Sequence, residues 1–475
     1  MISILISILI KIYFFLNSFQ KSYYEYKGII KTFLKKYYII YLSSVFIVIL
    51  NFFKNVVINH LLFLAISIQI IYLIKKTKVF LKITKRIVRL FITIVLEILL
   101  LTFFIPYYLI DLFIPLLVVL ANIINHPIEV LINKRYIKKA KRKIDNISAV
   151  KIAITGSYGK TSTKNYIADV LKNKYIVKET PKSYNTPLGI ALFINKNKFH
   201  YSDFIIYEFG ARKVGDIREL QQNYNYDIAI VTGIGKMHID TFKTLENIIE
   251  EKMRLVSNSK IVILNCENEL IRNYPVDNDV YTYGFAYGKY QARNLKTDIF
   301  ESEFDLYIDD KYIRSFKLNL IGKGAILNVL PVLILCDLYK VSYEYIEHLK
   351  AVENRLSSRK IDDYYILDDA YNSNILGAIY ALEVLKTHNG KKYLITPGFA
   401  EMDLIEEELI EEYSNIINET ADCVILVKNN FTIKLSEKIK IKEVFFTESF
   451  KKGFNTFLEN KEQNSIILIE NDLLE

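Results

Sequence analysis

The apolar residues of this chain are laid out in two different ways on either side of Val150, and no single folding plan accommodates both. Before it lie long runs, YYIIYLSSVFIVILNFF at 37–53 and VVINHLLFLAISIQIIYLI at 56–74, joined by Lys54-Asn55. Each is close to the ~20 residues a helix needs to cross the hydrocarbon layer, where backbone polar groups must be satisfied within the segment. A third stretch, from Leu90 to Asn125, is interrupted by Pro106, Asp111 and Pro115, and its length suits a tight helical hairpin. Residues 2–17 are a shorter candidate carrying Lys11; no small-residue cleavage site follows, which speaks against a removed signal peptide.

Charge supports the same division. Residues 1–150 hold 21 Lys/Arg against 5 Asp/Glu, so with a net charge of +10 overall the remainder of the chain is net −6. The basic residues cluster at 21–36, 75–89 and 134–143 (KRYIKKAKRK), beside the apolar runs. A nucleic-acid partner would call for basic residues interleaved with polar surface, so the expected partner is the lipid bilayer and not nucleic acid. Excess Lys/Arg marks the cytoplasmic side, which requires an even number of crossings between neighbouring clusters. Hairpins at about 37–74 and 90–125 satisfy that rule. Residues 125–129 read as the exit from the bilayer, and 131–148 as a basic helix at its anionic surface. The expectation is a multi-pass helical membrane domain over 1–130 and a basic linker helix over 131–148, with everything beyond in the cytoplasm.

From Val150 onward, apolar runs of four to six residues alternate with amphipathic stretches, the pattern of an α/β fold with a doubly wound sheet. Strands are predicted at 150–155, 204–208, 228–232 and 261–264, with helices at 160–173, 244–257 and 326–340. Residues 280–320 alternate around Asp309-Asp310 and predict an antiparallel insert. A second series has strands at 364–368, 392–396, 423–428 and 465–469. The division is expected near 340–350, giving domains over 149–343 and 344–475. Cys266, Cys336 and Cys423 are far apart, which fits a reducing compartment and argues against disulfides or a structural zinc site.

Thr155-Gly156-Ser157-Tyr158-Gly159-Lys160-Thr161 follows one predicted strand and opens a predicted helix. Glycines let backbone N–H groups curl round phosphate oxygens, and a helix N-terminus adds partial positive charge. Lys160 is placed to reach β- and γ-phosphates, and the Thr161 hydroxyl to sit on Mg²⁺. The longer form of this motif has Gly where Ile154 stands, so this is a shortened GxxGKT variant. The expected ligand is ATP with Mg²⁺. Glu208 closes the strand at 204–208, at the carboxyl edge where α/β ligands bind, and suits a cation that prefers oxygen donors. His238 follows the strand at 228–232. Lys252, beside Glu250 and Glu251, has by itself the pattern of a solvated helix face.

Taken in order, TGSYGKTSTK at 155–164, SYNTPLGI at 183–190, YEFGAR at 207–212 and VTGIGKMHIDTF at 231–242 resemble the Mur ligase family. Lys252, Asn265, ENRL at 353–356, DDAYNSN at 368–374 and TPGFAEM at 396–402 extend the resemblance, most closely to the MurF branch; ENDL at 470–473 looks like a subgroup. It covers about 150–475 and implies a P-loop central domain and a Rossmann-like C-terminal domain. It implies that Gly156, Ser157, Gly159, Lys160, Thr161 and Ser162 hold the triphosphate, and that Thr161, Glu208 and His238 serve Mg²⁺. Lys252 stands where the family carries a carbamylated lysine, giving it a catalytic role beside Lys160 and His238. Asn328 matches an adenine contact, Arg355 and Asp369 residues that close over the nucleotide. Asn185 and Thr186 lie near the acceptor, Tyr371, Asn372 and Asn374 near the incoming amine.

The implied activity is ATP- and Mg²⁺-dependent amide ligation through an acyl phosphate, joining an amino acid or dipeptide to a cell-wall peptide precursor. Three features depart from the family. Gly322-Lys323-Gly324-Ala325-Ile326-Leu327-Asn328 lacks the His and first Asn of the usual adenine-helix motif, Gly233 stands where the family has Asn after the strand at 228–232, and the apolar runs stand where the family has a UDP-holding domain. The acceptor is therefore left open as UDP-linked or lipid-linked. Two alternatives stand beside this reading: a membrane-tethered ligase for another polymer such as poly-γ-glutamate, and a noncatalytic ATP-binding scaffold for cell-wall enzymes.

Overall fold

The computed structural model describes residues 2–22, 24, 61, 68, 80–182, 184–277, 279–352, 355–370, 374–399 and 407–470. Apart from Leu61 and Ile68, the runs at 37–53 and 56–74 and the hairpin expected from them lie outside the described residues, as do Tyr371, Asn372, 400–402 and 471–473. The chain divides into two compact units, Met1–Arg135 and Tyr136–Glu475.

In the first unit, apolar side chains at helical spacing bury one another. Ile4, Ile8 and Ile12 of helix Ile2–Lys21 join Ile87, Leu90 and Ile94 of helix Lys85–Leu101, and Ile110, Ile114, Leu117 and Ala121 of the next helix. Thr84 caps Lys85–Leu101 by accepting from the Ile87 N–H. The chain reverses over 102–106, and Arg89–Glu129 (2.6 Å) and Asn125–Thr93 (2.7 Å) tie the two arms together antiparallel. Lys11 and Asp111 form a buried ion pair. The separate basic helix expected from 131 is not what forms. One helix, Tyr107–Asp145, runs through both Pro115 and Pro127. Each proline removes one backbone donor, and the apolar and cationic flanks continue the helix around it. Among the described residues, two helices, over Ile4–Lys21 and Leu109–Asp145, have the length and composition to cross a membrane.

The second unit holds two sheets. The first has nine strands in the order β2-β3-β1-β4-β5-β6-β7-β8-β9. These are β1 (Val150–Thr155), β2 (Val177–Glu179), β3 (Phe204–Glu208), β4 (Ile228–Val231), β5 (Ile261–Asn265), β6 (Val280–Gly284), β7 (Tyr290–Thr297), β8 (Ser302–Ile308) and β9 (Lys311–Leu318). Strands β1 to β6 pair in parallel, and β7, β8 and β9 form the antiparallel insert. Asp309 and Asp310, both at positive φ, make its two-residue turn, a conformation that short polar side chains tolerate.

Strand β1 is apolar because both its faces are covered. Ile152 and Ile154 face helices Lys160–Leu171 and Lys323–Tyr339, while Ala153 joins Tyr207, Ala229 and helices Pro187–Lys196 and Leu245–Met253 on the other side. The second sheet, order β10-β11-β15-β12-β13-β14, comprises β10 (Ser357–Ile361), β11 (Tyr364–Asp369), β12 (Lys392–Thr396), β13 (Cys423–Val427), β14 (Glu443–Thr447) and β15 (Ile466–Glu470). All are parallel except β10.

Candidate functional site

Strand β1 lies between β3 and β4, so the chain leaves it toward opposite sides and a crevice opens at its carboxyl end. The turn 156–159 fills that point. A Cβ on Gly156 would lie 2.3 Å from Thr232 Oγ1, and one on Gly159 2.4 Å from Asn328 Oδ1. Gly159 also has φ 79°. Only glycine meets both demands. The turn is braced from the loop after β4: the Ser157 N–H donates to Gly233 O at 2.6 Å, and Ser157 Oγ to Gly235 O at 3.1 Å. Tyr158 packs on Gly233 and accepts from Asn268 at 2.9 Å. Gly159 gives helix Lys160–Leu171 no side-chain cap, so its first-turn N–H groups face the crevice without an internal acceptor from that residue.

Three sequence-predicted residues meet at Glu208, which is 2% exposed. Thr161 Oγ1 donates to Oε2 at 2.9 Å, and Asn185 Nδ2 to Oε1 at 3.1 Å. A fourth group was not foreseen. Lys164 is fully buried and donates to Glu208 Oε2 at 3.2 Å and to Lys182 O at 2.7 Å. Its one signal in the sequence is its spacing, three residues after Thr161, which puts both side chains on one helix face.

A second meeting point is the carbonyl of Gly156. Lys160 Nζ donates to it at 2.7 Å and Lys252 Nζ at 3.2 Å. Lys252 is therefore not on a solvated face; it is 3% exposed. Its neighbour Glu251 is buried too, accepting from the Gly215 and Ile217 N–H groups at 2.9 and 2.6 Å and so capping helix Asp216–Asn223. Burial, reinforced by the Lys160 charge, pulls the Lys252 ammonium down to about 7. Burial lowers Lys160 as well; Glu208 opposes that shift and the Arg355 charge adds to it. Lys160, Lys164 and Lys252 thus lie about the turn, with the Arg355 charge felt at Lys160 and with Glu208, Glu251 and Asp216 offsetting part of the total, a balance of positive charge suited to a polyanion.

A sequence profile described as the Mur ligase middle domain matches residues 154–336. The chain carries a Mur ligase middle domain. It is 28% identical over 265 residues to the UDP-N-acetylmuramoyl-tripeptide–D-alanyl-D-alanine ligase of Rickettsia prowazekii, covering 52% of this chain and 58% of that protein. The protein of the same name from Borreliella burgdorferi is 27% identical over 352 residues, 69% of this chain and 73% of its own length. In fold, the chain is similar to a MurF ligase from Thermotoga maritima in complex with ADP, with a TM-score of 0.65 at 24% identity, covering 72% of this chain and 81% of that one.

Within the Mur ligase middle domain, Asn328 lies against the turn and accepts from Thr163 Oγ1 at 3.3 Å. Ser162 is buried in the first helical turn. Asn265 braces the loop after β4 through Thr232 O at 2.7 Å. Thr186 caps helix Pro187–Lys196 through the Gly189 N–H, so its hydroxyl serves the backbone. His238 sits at φ 57° ahead of helix Ile239–Phe242. Beyond the matched span, Asp369 ends β11 and Asn374 caps helix Ile375–Lys386 by accepting from the Gly377 N–H at 2.9 Å. Among the described residues no group of three or more His, Cys, Asp or Glu forms a metal cluster. A divalent ion here would rest on fewer protein ligands.

Proposed function

We propose that the chain is an ATP- and Mg²⁺-dependent amide ligase of the MurF type, held at the membrane by its first unit. The observation that supports this most is the pair of lysines on the Gly156 carbonyl beside the Thr161–Glu208 contact. The glycine turn, too tight for a Cβ, and the uncapped helix start fit a triphosphate, whose oxygens would draw Lys160 off the two carbonyls it now holds. The Thr161 hydroxyl and Glu208 carboxylate, 2.9 Å apart, are hard oxygen donors that fit Mg²⁺ with water completing its shell. Bound there, Mg²⁺ neutralises charge as two anions approach.

The chain's own residues have separable tasks in this reading. Lys160 holds the β- and γ-phosphates, and Lys164 and Asn185 keep Glu208 oriented. Lys252, whose amine is half neutral near pH 7, has the form that can add CO₂ to give an anionic carbamate. Asn328 and Arg355 line the nucleotide side, with His238 as a further metal-side group. An acceptor carboxylate attacks the γ-phosphate to give an acyl phosphate; an amine then displaces phosphate. The relatives' names point to UDP-N-acetylmuramoyl-tripeptide and D-alanyl-D-alanine as the first pair to test. Phe103 and Phe104, 85% and 76% exposed at the hairpin turn and opposite its basic end, support immersion of that tip in lipid.

The test uses purified chain, ATP, Mg²⁺ and that substrate pair, with product read by mass spectrometry. Joined product is expected from the wild type and none from Lys160→Ala. Lys252→Ala is expected to lose about 100-fold or more and to recover in part with acetate or formate. No product from the wild type, or no rescue across a concentration series, would count against the reading.

A further inference from the structure

One buried acid has no task in this account. Glu470 ends β15 at the carboxyl edge of the second sheet and is fully buried. The Tyr413 hydroxyl, from helix Glu407–Thr420, donates to Oε2. Oε1 is buried and, among the described residues, has no hydrogen-bond partner. In the parallel register of β11 and β15, Asp369 stands directly beside Glu470, so two carboxyls project from one face at one edge. Thr396, also fully buried, ends the strand on the other side. An unsatisfied carboxyl oxygen beside a second carboxyl lacks a cation that donates hydrogen bonds, and an ammonium group supplies both.

We propose that Glu470, with Asp369 beside it, receives the ammonium group of the incoming amine and takes its proton. This rests on the ligase reading above and adds to it the base for the second half-reaction. The amine arrives as R–NH₃⁺ and cannot attack until its lone pair is free. One N–H bond breaks, the proton going to Oε1 of the ionised Glu470 carboxylate, which becomes the neutral acid, and the freed pair forms the C–N bond at the acyl carbon. The tetrahedral adduct then breaks its C–O bond to phosphate, which leaves with that electron pair and with the second proton from nitrogen. The carboxyl returns its proton to solvent when product departs. The groups facing Glu470 suit this role. Burial, with the Asp369 charge adding to it and the Tyr413 hydrogen bond opposing, pushes the Glu470 carboxyl up to about 8. That is close to the ordinary range of an α-amino group, so the proton passes nearly downhill in neither direction.

The experiment compares the full chain with Glu470→Gln, an isosteric change that keeps the side-chain shape and removes the proton acceptor. Acyl phosphate is trapped with hydroxylamine, a nucleophile already uncharged near neutral pH, and amide formation with D-alanyl-D-alanine is followed separately. Hydroxamate formation by Glu470→Gln is expected to match the wild type, which also shows that the variant folds. Amide formation is expected to fall by about 10-fold at about pH 7, the factor by which an ordinary α-amino group is short of its neutral form there, and to recover most of that loss at about pH 9.5, where the amine is neutral without help. Equal loss at both pH values, no loss at either, or loss of hydroxamate along with amide would overturn the proposal. Absence of hydroxamate from the wild type would instead remove the ligase reading and this inference with it.

Discussion

Glu208 accepts from a hydroxyl, an amide and an ammonium, and the last of these sets its charge balance. Lys164 and Glu208 are both buried, so removing one partner strands the other's charge. Lys164→Met is expected to cost about 3–5 kcal/mol in the metal-free protein. Mg²⁺ should then raise the melting temperature of the variant more than that of the wild type, because the ion replaces the lost positive charge. Equal Mg²⁺ shifts in thermal melts of the two proteins would mean the ion does not sit at Glu208. The pair also shows where residue-level reading stops. Glu208 was legible because a carboxylate ending an apolar strand is conspicuous. Lys164 was not, and Lys252 stood out only through the family resemblance, since a lysine inside a polar run has the sequence signature of a solvated one. Burial came from their partners: Lys164 is held by Glu208 and Lys182 O, and beside Lys252 Glu251 turns inward to cap Gly215 and Ile217.

At the scale of elements, the strand–turn–helix unit concentrates its constraint in Gly159, which needs a left-handed conformation and has Asn328 against it. Gly159→Ala is expected to lower stability by roughly 1–2 kcal/mol from backbone strain alone. It should also weaken nucleotide binding by pushing Asn328 aside, both effects readable in a thermal melt with and without ATP. A wild-type response to ATP would remove the turn from the binding site. Most elements here were legible in the sequence. Strands β1, β3, β4 and β5 announce themselves as apolar runs because both faces of a central parallel strand are covered. Strands β2, β10 and β14 did not, and all three lie at sheet ends, where VKE and SSRKI need little apolar character and the short EVFFT is left partly exposed. The helix through Pro127 was missed for the opposite reason, a breaker overruled by its flanks.

For the whole molecule, the claim is that a ligase works while tethered to lipid. The tether predicts that the full chain stays with membranes through carbonate extraction, and that replacing Phe103 and Phe104 with Asp weakens that retention; recovery of wild type in the soluble fraction would contradict it. The ligase claim reaches further, since it requires an oxygen atom to move. If the acceptor's carboxylate attacks the γ-phosphate, one of its oxygens must leave in the phosphate released when the amine displaces it. The deciding measurement therefore supplies UDP-N-acetylmuramoyl-tripeptide labelled with ¹⁸O in its terminal carboxylate, with ATP, Mg²⁺ and D-alanyl-D-alanine, and weighs the inorganic phosphate. One ¹⁸O per phosphate, formed in step with the amide and lost in Lys160→Ala, is the predicted result. ATP turnover that releases unlabelled phosphate would contradict the account.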